Sequence, residues 1–90
     1  MIVEVRGELD TATAPLLQDL LDQLMAAGAR RVVVDLSEAT FVDSTGLGAL
    51  LSAHRRMQAD HGQLVLSQPL PATRRLLELT ALDRVFAVVT

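Results

Sequence analysis

Two hydrophobic periods take turns along this chain, and their alternation limits the fold more than any single motif does. Ile2-Val3-Glu4-Val5-Arg6 alternates apolar and polar residues, as a strand with one buried face does. Gly7 interrupts that pattern. Leu16, Leu17, Leu20, Leu21, Leu24 and Met25 then recur at helical spacing, with Asp19 and Asp22 facing the other way and Gly28 as the stop. Thr11 and Thr13 are candidate N-caps for this helix, and Pro15 suits a first turn. Val32-Val33-Val34 is an uninterrupted β-branched run. It predicts a central strand covered on both faces, or one that its neighbours cover.

Asp35-Leu36-Ser37-Glu38 reads as a turn, and Phe41-Val42 as the start of a short return strand. From about Ser44 to Asp60 a helix carries Leu47, Leu50, Leu51, His54 and Met57 along one side, until Gly62 ends it. Leu64-Val65-Leu66 is another strand. Pro69 and Pro71 break the chain, Thr73 to Leu82 forms a helix with Leu76, Leu77 and Leu79, and Phe86 to Val89 closes with a strand. The expected order is β-α-β-(short β)-α-β-α-β. That order predicts one α/β domain over residues 1–90, a mixed, mostly parallel sheet with amphipathic helices packed on it.

Composition removes several functions. There is no cysteine, so disulfides and thiolate metal sites are excluded. His54 and His61 fall about two turns apart on one expected helix, too far for the usual i, i+4 metal pair, and both read as surface or boundary residues. No metal and no cofactor is expected. A net charge of −3 argues against nucleic acid as a partner, which needs a basic face. All eight basic residues are arginines, and the pairs Arg30-Arg31, Arg55-Arg56 and Arg74-Arg75 do not make a continuous patch. No run approaches the roughly 20 apolar residues of a membrane span and no signal-peptide pattern opens the chain, so no membrane partner and a cytoplasmic location are expected.

The most informative block is Asp43-Ser44-Thr45-Gly46-Leu47-Gly48, between a short strand and a helix. Ser44 at a helix start sits where backbone N–H groups lack partners and the dipole is positive. Catalysis by Ser44 is disfavoured. His54 lies ten residues along the same helix, roughly 15 Å away at 1.5 Å per residue. The Gly-x-Ser-x-Gly elbow of many hydrolases is missing, and without lysine there is no phosphate-binding Gly-x-x-x-x-Gly-Lys loop. Asp10, Asp35 and Asp43 all fall at expected strand ends, where they serve as turn and cap residues or, less simply, share an edge able to bind a cation. No catalytic residue is assigned. Two roles remain for Ser44: helix cap, or substrate of another protein's kinase.

Gly7-Glu8-Leu9-Asp10, Val34-Asp35-Leu36-Ser37 and Phe41-Val42-Asp43-Ser44-Thr45-Gly46-Leu47-Gly48, in this order and spacing, resemble the bacterial anti-sigma factor antagonist family, the STAS domains. The resemblance spans essentially the whole chain. It implies a protein that is not an enzyme but a phosphorylation-switched binding module. Ser44 matches the serine phosphorylated by an anti-sigma factor that is also a serine kinase. Unphosphorylated, such a module sequesters the anti-sigma factor and frees the sigma factor for transcription; a serine phosphatase restores this state after phosphorylation. The implied partner-binding residues are Asp10, Asp43, Ser44, Thr45, Gly46 and Leu47. The resemblance also admits an alternative, a non-phosphorylated STAS module of a transporter, lipid-transport or stress-signalling complex. Family members usually carry an extra first edge strand and a last helix that this sequence is expected to lack. An exposed sheet edge, and a homodimer through it, are expected in consequence.

Overall fold

The computed structural model describes residues 1–90. The elements are β1 (Ile2–Leu9), α1 (Ala14–Ala26), β2 (Arg31–Val42), α2 (Ser44–Ala59), β3 (Gln63–Ser67), α3 (Pro71–Leu79), one 3₁₀ turn (Leu82–Arg84) and β4 (Ala87–Val89). The strands form one sheet in the order β1-β2-β3-β4, and all neighbours are parallel. Parallel neighbours need crossovers, and three right-handed crossovers in the same direction put α1, α2 and α3 on one face of the sheet.

Burial follows from that arrangement. Val32, Val34, Leu64 and Leu66 are fully buried in a cluster with Leu17, Leu21, Leu50 and Leu77 from the helices. Val33, on the opposite face, is half-buried. The valine run therefore belongs to a central strand covered by helices on one face only. In α1 only Ala14, Leu17 and Leu21 are buried, while Leu16 stays 69% exposed. The leucine pattern is wider than the sheet and α2 can cover. Arg56 of α2 pairs with Asp22 of α1 across the outer surface.

Three expectations need correction. The sheet is not mixed, because Phe41-Val42 is no return strand: it is the end of β2, which runs unbroken from Arg31. The supposed turn at Asp35 to Glu38 is a bulge in that strand. Register against β1 shifts twice, between Glu4 and Arg6 and again between Gly7 and Glu8, each time with an extra residue on β2. At the first shift Ser37 N–H donates to Asp35 Oδ1 at 2.9 Å. Such bonds hold the Asp35 carboxyl below its ordinary pKa, because they favour the charged form. Turn-forming residues thus satisfy a bulge without reversing the chain. Gly7, with φ of +77°, likewise lies within β1 at the second shift and does not end it.

The third correction concerns the histidines. His61 lies beyond α2 and is exposed, but His54 is 4% exposed, and its ring packs on Phe86 with centroids 5.3 Å apart. Neither ring nitrogen of His54 has a hydrogen-bond partner. Unpaired buried polar atoms cost about 1–3 kcal/mol. His54→Leu is therefore expected to raise the thermal unfolding midpoint, read by circular dichroism; a lowered midpoint would mean that the imidazole contributes more by shape than it costs by desolvation.

Candidate functional site

The C-terminal ends of β1 and β2 lie level at one edge of the parallel sheet, where α1 and α2 start, while β3 ends sooner, with Ser67 opposite Asp35. Two positive helix ends, those of α1 and α2, therefore share an edge, the usual place for a site in such sheets. Leu9 pairs with Val42 in register, so Asp10 and Asp43 leave adjacent strands together. Asp35 does not join them. It lies mid-strand, opposite Glu4 and Ser67.

Asp10 opens a reciprocal capping box. Its Oδ1 accepts from Ala12 N–H at 3.0 Å and Thr13 N–H at 3.1 Å, while the Thr13 hydroxyl accepts from Asp10 N–H at 2.9 Å. That hydroxyl also lies 2.9 Å from the Glu8 carbonyl, to which it donates. The pattern is the Ser/Thr-x-x-Glu box with its two side chains exchanged. Thr13 is thus the partner in the box, and Thr11 makes no cap. The carboxylate of Asp10 is consumed in holding a turn, and the turn itself is the surface feature.

At the second position the cap is Asp43. Its Oδ1 accepts from Gly46 N–H at 2.9 Å, and its own carbonyl accepts from Leu47 N–H at 3.0 Å. Ser44 is the first helical residue, exposed, and its hydroxyl takes part in no capping bond. Thr45 beside it is exposed as well. The N–H groups of Ser44 and Thr45 remain at the open end of the helix. Because a carboxylate already caps α2, Asp43→Ala should cost about 0.5–2 kcal/mol. Ser44→Ala should stay within about 0.5 kcal/mol, as a surface change. Chemical denaturation of both variants checks this, and a Ser44→Ala loss matching that of Asp43→Ala would return the cap to Ser44.

Gly46 joins the two halves of the site. Asp43 N–H donates to the Leu9 carbonyl at 3.1 Å. A Cβ on Gly46 would stand 2.7 Å from that same carbonyl oxygen and 2.7 Å from Leu9 Cγ. Only glycine lets the first turn of α2 rest on the end of β1. Leu9 was not legible as a site residue, since its part is played by its backbone. The Leu47 side chain, at 2% exposed, belongs to the core. Gly46 is buried as well, so these two shape the surface from beneath while Asp10, Asp43, Ser44 and Thr45 form it.

Nothing near Ser44 activates its hydroxyl. His54 points into the core against Phe86, and the larger cavity of the molecule, about 480 Å³, lies at the opposite edge among Gly28, Arg30, Asp60 and His61. No helix is long and apolar enough to cross a membrane.

The STAS domain family model matches residues 1–90. The anti-sigma-B factor antagonist of Staphylococcus aureus is 32% identical over 80 residues, which cover 89% of this chain and 74% of that protein. The crystal structure of an anti-sigma factor antagonist from Mycobacterium paratuberculosis is 34% identical, with a TM-score of 0.87, covering 98% of this chain and 74% of that one. A crystal structure from Thermotoga maritima superposes with a TM-score of 0.93 at 26% identity, over 99% of this chain and 77% of that one.

Proposed function

The chain belongs to the STAS domain family, and from that membership and the geometry at Ser44 we propose that it is an anti-sigma factor antagonist switched by phosphorylation of Ser44. One observation carries the choice of residue: Asp43 caps α2, which leaves the Ser44 hydroxyl exposed and unengaged at the positive end of the helix. In this reading the partner is an anti-sigma factor with serine kinase activity. The Ser44 oxygen forms the new bond to phosphorus, the bond to the departing ADP breaks, and the hydroxyl proton passes to a base of the kinase. A serine phosphatase reverses the step, and the exchange takes place in the cytoplasm.

The switch is electrostatic. A phosphate adds about −1.5 to −2 charge beside the Asp43 carboxylate. The helix dipole offsets part of this, by about 0.3–1 kcal/mol, so the fold tolerates the group. A docked partner would have to desolvate it, which costs several kcal/mol unless matched by cations. The domain keeps its structure and loses its partner.

Incubation with ATP and a cognate kinase-type anti-sigma factor tests the assignment. One phosphate on Ser44 by peptide mass spectrometry, and none on Ser44→Ala, is the expected result. A phosphate on Thr45 or elsewhere, or none although the two proteins bind, would remove Ser44 from this role.

A further inference from the structure

We propose that the groove between the end of β2 and α3 is a second half of the docking surface, receiving an apolar side chain and an adjacent carboxylate of the same kinase-type anti-sigma factor. This rests on the reading of Ser44 above and adds to it a surface outside the Asp43 to Gly48 block. The groove, about 310 Å³, is lined by Phe41, Val42, Thr73, Arg75, Leu76 and Leu79 among others.

Three observations support that occupant. First, the groove is continuous with the phosphoacceptor: Val42 forms part of its wall, and the next two residues are the cap Asp43 and Ser44. A protein covering Ser44 reaches the groove without leaving the surface. Second, its lips are large apolar side chains left in solvent, Phe41 at 52% and Leu79 at 72% exposure. The second bulge of β2 puts Phe41 on the exposed face of the strand, although Ala39, two residues before it, is buried. Gly7 pairs with Ala39 and Glu8 with Phe41, which leaves Thr40 without a partner on β1. Bulges next to sites re-aim side chains in this way. Third, Arg75 at the rim joins none of the three ion pairs of the structure, so a cation stands ready for a carboxylate. Leu16 is as exposed as these apolar lips, but it lies on α1 and lines no groove.

The test is titration of the full chain against that anti-sigma factor with ADP, beside the kinetics of phosphate transfer to Ser44. Leu79→Ser and Arg75→Glu are each expected to weaken binding about tenfold or more, as truncation of an interface anchor does. Turnover at saturating concentration should change less than about twofold, since Ser44 itself is untouched. Leu16→Ser should bind like the parent, and unfolding midpoints should match throughout. Affinities within about twofold of the parent for both groove variants, while Ser44 is still phosphorylated, would overturn the groove and spare the assignment of Ser44. Weakening by Leu16→Ser as large as by Leu79→Ser would also overturn it. So would a parental dimer in sedimentation that Leu79→Ser dissociates, because the occupant would then be a second copy. No phosphate on Ser44 at all would overturn both readings.

Discussion

Ser44→Asp is expected to weaken the complex with the kinase-type anti-sigma factor by about a hundredfold while leaving the fold intact. Like charges or unmatched charges placed across an interface cost several kcal/mol, and every 1.4 kcal/mol is tenfold in affinity. The same substitution should be mild for the isolated domain. Ser44 is exposed at the first position of α2, where a carboxylate gains from the dipole. Calorimetric titration of parent and variant, with a thermal scan of each, separates the two effects. The competing role, a cap with no switching function, predicts an unchanged affinity, since Asp caps as well as Ser. It is already weakened by the bond from Gly46 N–H to Asp43 Oδ1.

Two glycines in the same helix turn should respond with opposite signs. Gly48→Ala meets nothing within 4 Å and removes backbone freedom from the unfolded chain, so it should stabilise by about 0.5–1 kcal/mol. Gly46→Ala should destabilise by about 1–3 kcal/mol, because its Cβ would lie 2.7 Å from the Leu9 carbonyl oxygen. The clash is with backbone, which does not swing aside as a side-chain tip would. Either α2 or the end of β1 must move, and the Asp10 turn follows directly after Leu9. Gly46→Ala should therefore also shift the amide resonances of Ala12 and Thr13, whose N–H groups bond Asp10. Two stabilising substitutions, or unmoved Asp10-turn resonances, would mean that the two halves of the site are not mechanically joined.

The helices were legible because burial on one face writes a 3.6-residue period into the chain. Leu17 and Leu21 of α1 and Leu47, Leu50 and Met57 of α2 are buried where that period places them. The length of β2 was hidden because bulges and turns use the same residues: Asp35 and Ser37 form the side-chain bond of an Asx turn inside a continuing strand. The all-parallel sheet was hidden with it, since the imagined return strand supplied the antiparallel pair. His54 misled because a polar residue on an apolar stripe reads as a boundary position, whereas here Phe86 comes from far along the chain to cover it. At the site, the exposed serine and its helix were legible from the Asp43 to Gly48 block. The capping role of Asp43 and the Leu9 carbonyl under Gly46 were not, because each depends on how β1 and β2 stand side by side.

The affinity of the anti-sigma factor for the two covalent states of this chain is the most direct test of the switch. The protein phosphorylated to one equivalent at Ser44 is titrated beside the unphosphorylated protein at the same ionic strength. A tight complex for the unphosphorylated form and one at least about a hundredfold weaker for the phosphorylated form, at equal thermal stability, is the predicted result. Equal affinities for the two forms would contradict it.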